Sequence, residues 1–114
     1  MLITARENDC QFIWFARAAA GRRSGLADTL VDNLRDKKPL TGFDPEQTAV
    51  VEYGREYFGT RRVGQPTFDR ALAQFGVRGL AELTTLMGYY AMLAFNINAF
   101  EMLPDAGAEA MLPV

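Results

Sequence analysis

The chain has 114 residues, of which 49% are hydrophobic and 23% are charged, and its formal net charge is −2. This size and balance predict one globular domain, and they give no electrostatic reason to expect binding to nucleic acid or to an anionic membrane surface. No stretch of about 18 residues is apolar throughout, so a membrane-spanning helix is not expected.

The hydrophobic pattern predicts an all-α fold of about five helices in one domain, 1–114, without a strand. The first helix is predicted over 2–20, where the apolar positions become denser toward the C-terminal half and Gly21 ends the helix. The second is predicted over 25–36, because four apolar residues recur there on one helical stripe. These residues are Leu26, Leu30, Val31 and Leu34.

A capping pattern marks the start of the third helix. Asp44 is a good N-cap residue, Pro45 suits the first helical position, and Gln47 stands where a capping box has its second side chain. The apolar face that follows extends to Gly59, which is the predicted end of this helix.

The last two predicted helices differ in length and character. Pro66 starts a short fourth helix that Gly76 ends, and the fifth is predicted over 79–102. The fifth helix is apolar on most of its sides, so it must be buried on most of its sides. A domain of this size offers too little surface for that, and we therefore expect a homo-oligomer. The segment 103–114 has two prolines and no periodicity, which predicts an extended C-terminal tail.

The residue types that are missing narrow the possible chemistry. There is no histidine, and Cys10 is the single cysteine. Catalytic triads with histidine, histidine zinc sites and an intramolecular disulfide are therefore excluded. We expect no metal, no cofactor and a reducing, cytoplasmic location. The remaining candidates for chemistry are carboxylates, tyrosine, lysine, arginine, asparagine and one thiol.

Several short motifs follow one another along nearly the whole chain. The N-terminal part has Gly25-Leu26, Asp44-Pro45-Glu46, Arg55-Glu56, Arg61-Arg62-Val63 and Thr67-Phe68. The C-terminal part has Phe75-Gly76, Glu82-Leu83, Gly88-Tyr89-Tyr90, Asn98 and Leu103-Pro104. In this order the motifs resemble those of the carboxymuconolactone decarboxylase family. The resemblance implies the all-α fold of the alkyl hydroperoxide reductase partner AhpD and assembly as a trimer or hexamer.

The chain departs from the family pattern in the helix that carries the active site. Thiol-active members have Cys-x-x-Cys-x-x-x-His, and this spacing places Ile13 at the second cysteine and Arg17 at the histidine. Other members have Glu-Trp-x-x-His, of which Trp14 alone is retained. Family members also often carry a further helical segment ahead of the matched part. This protein is then a short member, a truncated one, or one whose missing segment comes from a partner.

The resemblance nevertheless points to particular side chains around this helix. Arg17 lies where the family has a cavity, and its guanidinium suits a carboxylate or a developing negative charge. Tyr89 and Tyr90 lie on the helix that lines this cavity. By helical spacing Glu7 shares a face with Cys10, and it is an alternative proton donor. The predicted catalytic residues are Arg17, Cys10, Glu7 and Tyr90, and the predicted substrate-binding residues are Arg17, Trp14 and Tyr89.

Each of these residues also has a purely structural interpretation, as a surface arginine, a core thiol, a solvated acid or core aromatics. Two functions therefore stay open. The first is a decarboxylase or related lyase that acts on a small cyclic carboxylic acid or lactone by stabilising negative charge. The second is a non-catalytic oligomeric subunit or ligand-binding module with a degenerate active site. A thiol peroxidase is not expected, because it needs the second cysteine and the histidine.

Overall fold

The computed structural model describes residues 1–103 and 112–113, and these residues form five α-helices and no β-strand. The all-α prediction is thereby confirmed. The helices are α1, Leu2–Glu7; α2, Gln11–Arg23; α3, Asp28–Arg35; α4, Pro45–Thr60; and α5, Gln65–Ala99. The predicted number of helices is also five, but the first predicted helix is two elements, the fourth and fifth form one, and several helix ends differ.

The first predicted helix, 2–20, is wrong as a single element. The helix stops at Glu7, Asp9 takes a left-handed conformation with φ 51°, and Cys10 is the N-cap of α2 with an extended backbone. Asp9 is a residue type that tolerates this region, because its short polar side chain bonds locally. Glu7 and Cys10 therefore do not share a helical face, and the expectation that they do is also wrong.

The third predicted helix agrees closely with α4. The Asp44 carboxylate caps it by accepting a hydrogen bond of 2.7 Å from the backbone N–H of Glu46. Pro45 occupies the first helical position, and Arg61 ends the helix in the left-handed region at φ 62°. The second predicted helix also forms, but α3 begins at Asp28 rather than at residue 25.

The predicted fourth and fifth helices form one element, α5, with a break at Gly76. Gly76 has φ 71° and ψ 174°, a combination that is open to glycine and strained for other residues. The sequence thus located the break correctly, although helical structure continues on both sides of it. The second part ends at Ala99 rather than at residue 102.

The short helix α1 lies at the centre of the core and packs against all four other helices. Its Ile3 is 2% exposed and approaches α4 at Gly54, where an added Cβ would be 2.7 Å from Ile3 Cγ1. The glycine therefore permits a close approach of the two helices. Across the same core, the hydroxyl of Tyr53 on α4 is 2.7 Å from that of Thr84 on α5.

The second half of α5 keeps a large apolar face uncovered, which we call the α5 face. Its members are Leu86, Tyr89, Met92, Phe95 and Phe100, and Phe95 and Phe100 are 75% and 79% exposed.

No helix among the described residues is long and apolar enough to cross a membrane. Of the predicted extended tail, Leu103, Leu112 and Pro113 have no regular secondary structure, and the remainder lies outside the described residues.

Candidate functional site

A cavity of about 410 Å³ lies between α1, α2, α3 and the start of α4. Its wall is mostly apolar, and the polar side chains that line it are Arg17, Ser24, Glu46 and Gln47. The apolar part of the lining consists of Met1, Leu2, Ile3, Ala20, Gly21, Leu26, Leu30, Leu34, Val50 and Val51. An apolar cavity of this size with a few polar groups is typical of small-molecule sites.

Arg17 is the single basic side chain among the described residues that line this cavity. It lies on α2 and is exposed, and its Nη2 donates a hydrogen bond of 2.9 Å to the hydroxyl of Tyr90. Its guanidinium carbon also lies 5.5 Å from the centroid of the Tyr90 ring. Among the described residues no carboxylate pairs with Arg17, and its side-chain hydrogen-bond partner is the neutral hydroxyl of Tyr90.

Tyr90 is the predicted site residue that the structure brings to Arg17. Because its hydroxyl oxygen accepts from Arg17, its own proton remains available to a ligand. Tyr89 packs edge-on against it, with ring centroids 5.6 Å apart, but Tyr89 is 52% exposed and belongs to the α5 face. Neither tyrosine lines the cavity itself.

Trp14 and Cys10 lie in the core and do not line the cavity. Trp14 is 4% exposed, and Cys10 is fully buried at the start of α2. A buried thiol in apolar surroundings behaves as a small hydrophobic group. The structure therefore separates both residues from the Arg17 guanidinium.

Glu7 lies in a different polar cluster, between α1, α4 and the end of α3. Its Oε2 is buried, has no hydrogen-bond partner among the described residues, and lies 3.9 Å from the ammonium of Lys37. Burial lowers the pKa of Arg55, and the negative charge of Glu7 acts against this effect. Arg55 also donates to the backbone carbonyl of Asn33, at 3.4 Å. The carboxylate thus lies beside the half-exposed Lys37 and the partly buried Arg55, and it does not line the cavity.

Two carboxylates outside the cavity have clear pKa shifts. Hydrogen bonds from Thr67 and from the backbone N–H of Gly64 lower the pKa of Glu56, which thereby anchors the start of α5 to α4. A hydrogen bond from Arg35 lowers the pKa of Asp36 at the end of α3. Both shifts have structural causes, and neither group lines the cavity.

Three polar residues of the cavity, Ser24, Glu46 and Gln47, were not among the predicted site residues. Glu46 and Gln47 belong to the first turn of α4, and the sequence pattern there was interpreted as capping. Their cavity role depends on how α2 and α4 each pack against α1, which no local pattern encodes. Among the described residues, no cluster of acidic or cysteine side chains is suited to a metal ion.

No protein-family model, curated protein or solved structure matches the chain. The resemblance to the carboxymuconolactone decarboxylase family accordingly depends on the ordered sequence motifs and stays a prediction. The same holds for the AhpD-like arrangement of the helices and for the trimeric or hexameric assembly that the resemblance implies.

Proposed function

We propose that the chain is a binding module for a small, cyclic or aromatic carboxylic acid, with the Arg17 guanidinium at the carboxylate and the apolar cavity around the ring. The observation that carries the proposal is the arginine itself. It borders an apolar cavity, and a phenol hydroxyl is its single side-chain partner among the described residues.

The charge balance around Arg17 favours an anion. Guanidinium groups bind carboxylates through two parallel N–H···O hydrogen bonds, which are stronger than bonds between neutral groups. Four of the five N–H donors of Arg17 are left after its bond to Tyr90. The Tyr90 hydroxyl proton is a further donor beside them. An incoming carboxylate would therefore meet several unused donors and a positive charge.

The cavity wall selects for an apolar body on the same ligand. A volume of about 410 Å³ is in the range of small-molecule sites, and the wall offers few polar partners to a sugar or a nucleotide. Glu46 lines the same cavity and opposes an anion, but its carboxylate is exposed, where water screens its charge. The best ligand is then a monoacid whose ring lies against the aliphatic side chains.

A thermal-shift screen with cyclic and aromatic carboxylic acids tests the proposal. A ligand at 100 times its dissociation constant stabilises the fold by about 2.7 kcal/mol, which corresponds to a shift of about 10 °C for a domain of this size. The screen uses wild type, Arg17→Ala and Arg23→Ala. Arg23 is the matched control, because it is an exposed arginine on the same helix that does not line the cavity.

We expect an acid that stabilises wild type and Arg23→Ala and fails to stabilise Arg17→Ala. If no acid in the panel shifts wild type at millimolar concentration, or if both variants respond as wild type does, the proposal is wrong. A shift lost in both arginine variants would indicate a general effect of net charge and would equally contradict it.

Decarboxylation is the second candidate, and the Arg17–Tyr90 contact is the observation in its favour. In such a reaction the bond to the carboxylate carbon breaks, CO₂ leaves, and its electron pair moves into a conjugated carbonyl of the ligand. A cation and a phenol donor beside that carbonyl oxygen would stabilise the negative charge. The Tyr90 hydroxyl would also donate the proton that the remaining carbanion carbon needs.

The placement of Cys10 and Glu7 away from the cavity favours binding over turnover. A search for CO₂ release from the acids that bind, with wild type and Tyr90→Phe, separates the two functions. Release that is lost in Tyr90→Phe while the acid still binds would establish the enzyme. Binding without release would establish the non-catalytic module.

We also propose that the chain assembles with itself through the α5 face. The five side chains of this face expose roughly 600 Å², which is comparable with the roughly 800 Å² that each partner buries in a standard interface. Light scattering after gel filtration should show an oligomer in wild type and a monomer in Phe95→Glu. A wild-type monomer at 100 µM would contradict this assembly, and it would leave the ligand proposal to its own test.

A further inference from the structure

The described end of the chain occupies a specific groove at the junction of α1 and α2. The backbone N–H of Leu112 donates to Gln11 Oε1 at 2.7 Å, and Gln11 Nε2 donates to the carbonyl of Leu112 at 3.1 Å. One side-chain amide thus satisfies both backbone groups of one residue, as a neighbouring β-strand would. The Leu112 side chain is 4% exposed and belongs to the hydrophobic core.

The next residue is held as well. Arg6 donates from Nη2 to the carbonyl of Pro113 at 3.2 Å. Arg6 is 4% exposed and is fixed by two further hydrogen bonds, to Asp9 and to the backbone carbonyl of Arg35. The part of the core that buries the Leu112 side chain is called the leucine pocket, and the site formed by this pocket with Arg6 and Gln11 is called the tail groove. It recognises a short extended segment through its backbone and one leucine side chain.

The segment in the tail groove has a second copy in the sequence. Leu112 and Pro113 belong to a Met-Leu-Pro motif at 111–113, and the same three residues occur at 102–104. The two motifs are in opposite situations: Leu112 is buried in the groove, whereas Met102 and Leu103 are 49% and 63% exposed. The motif at 102–104 therefore has the same residues as the motif at 111–113, but its Met102 and Leu103 are not buried as Leu112 is.

We infer that the tail groove is a binding site for a Met-Leu-Pro segment, and that its intermolecular ligand is the exposed motif at 102–104 of a second copy of the chain. In the isolated chain Leu112 and Pro113 occupy the groove. A segment tethered in this way competes at an effective concentration of the order of millimolar. Intermolecular binding consequently requires that the tail be released.

The location of the two sites permits such an exchange. The side chain of Asn98 donates to the backbone carbonyl of Asn8 at 2.8 Å, so the end of α5 lies against the turn between α1 and α2. The exposed motif thus leaves the fold beside the groove that recognises it. Binding of one chain's motif in the groove of another links two different surfaces of the chain, the end of α5 and the junction of α1 and α2.

The test uses the full chain with its tail released by Leu112→Asp, which places a charge in the leucine pocket. The probe is an acetylated, fluorescently labelled peptide with the sequence Glu-Met-Leu-Pro-Asp of residues 101–105, and the measurement is fluorescence anisotropy. The control peptide has aspartate in place of its leucine. A circular dichroism spectrum equal to that of wild type qualifies the variant, and Leu112→Ala replaces it if the aspartate unfolds the chain.

We expect saturable binding to the released chain, at least tenfold tighter than to wild type, and no binding of the control peptide. Adding Gln11→Ala to the released chain should weaken binding at least tenfold, whereas adding Gln65→Ala, on α5, should leave it unchanged. Failure of the folded, released variant to bind at 1 mM peptide would overturn the inference. Equal binding of both peptides, or an equal effect of the two glutamine substitutions, would overturn it as well.

Discussion

Arg6 and Arg17 show how differently one residue type is used in two neighbouring regions of this molecule. Arg6 is 4% exposed and donates to three protein oxygen atoms, from the turn, from the end of α3 and from the tail. Arg17 is exposed and donates to one phenol oxygen beside an apolar cavity. The Arg6 guanidinium stabilises the fold, whereas the Arg17 guanidinium keeps N–H donors that can bind a ligand.

In this protein the number of hydrogen-bond acceptors around an arginine, more than its sequence position, distinguishes a structural guanidinium from one that can bind a ligand. A buried donor without partners costs about 1 to 3 kcal/mol, so a fold tends to satisfy every donor that it buries. An exposed guanidinium has no such cost and can keep its donors for a ligand. The comparison becomes testable when each arginine is removed.

The largest expected effect is the loss of stability in Arg6→Ala. The substitution removes three partly buried hydrogen bonds, to Asp9 and to the carbonyls of Arg35 and Pro113, and it should lower the free energy of unfolding by about 3 kcal/mol. Urea denaturation followed by circular dichroism measures this. Arg17→Ala, measured alongside, should cost less than about 1 kcal/mol. Equal losses in the two variants would remove the distinction between the arginines.

A moderate effect on ligand affinity is expected for Tyr90→Phe. The substitution removes the acceptor of Arg17 and one donor to the ligand while it keeps the ring beneath the guanidinium. A carboxylic acid found in the thermal-shift screen should bind about fivefold more weakly, as the loss of one hydrogen bond implies. Calorimetric titration measures it, with Tyr89→Phe as the control. An equal loss in the control variant would show that the Tyr90 hydroxyl has no particular role.

A smaller effect of opposite sign is expected for Glu46→Gln. Glu46 lines the cavity with a negative charge, and its removal should improve the affinity for an acid by about two- to threefold, since exposed charges interact weakly. The gain should decrease as salt is raised, because salt screens exposed charges. The same titration in low and high salt measures this. Weaker binding in this variant would mean that Glu46 contacts the ligand directly.

The smallest effect concerns pH and lies away from both arginines. Hydrogen bonds from Thr67 and Gly64 lower the pKa of Glu56 below its ordinary value of 4.5. Its contribution to stability is therefore fully present above pH 4.5 and is lost as the pH falls through the lowered pKa. Glu56→Gln should be less stable than wild type at pH 7, and the difference should shrink below pH 4.5. A difference that is constant with pH would contradict this.

The sequence predicted the elements whose boundaries depend on local signals. Asp44 and Pro45 mark the start of α4, and Gly76 marks the break in α5, because capping geometry and glycine conformation are local properties. The break after Glu7 was not predicted, although the polar run from Glu7 to Asp9 interrupts the apolar pattern there. Arg6 stabilises this turn through a local ion pair with Asp9 and through a tertiary hydrogen bond to the carbonyl of Pro113.

The candidate site depends on tertiary contacts, and the sequence therefore predicted only part of it. The approach of Arg17 and Tyr90 agrees with the predicted site residues, although they are 73 positions apart. The helical spacing of Glu7 and Cys10 was misleading, because the helix breaks between them. The recurrence of Met-Leu-Pro was visible in the sequence, but only the buried position of Leu112 gives it a meaning.

The most direct test of the account is a calorimetric titration of a screened carboxylic acid and its neutral amide into wild type and Arg17→Ala. We expect wild type to prefer the acid at least tenfold and Arg17→Ala to show no preference, while the amide binds both proteins with equal, weaker affinity. A preference for the acid that is unchanged in Arg17→Ala would show that another group binds the carboxylate, and would contradict the account.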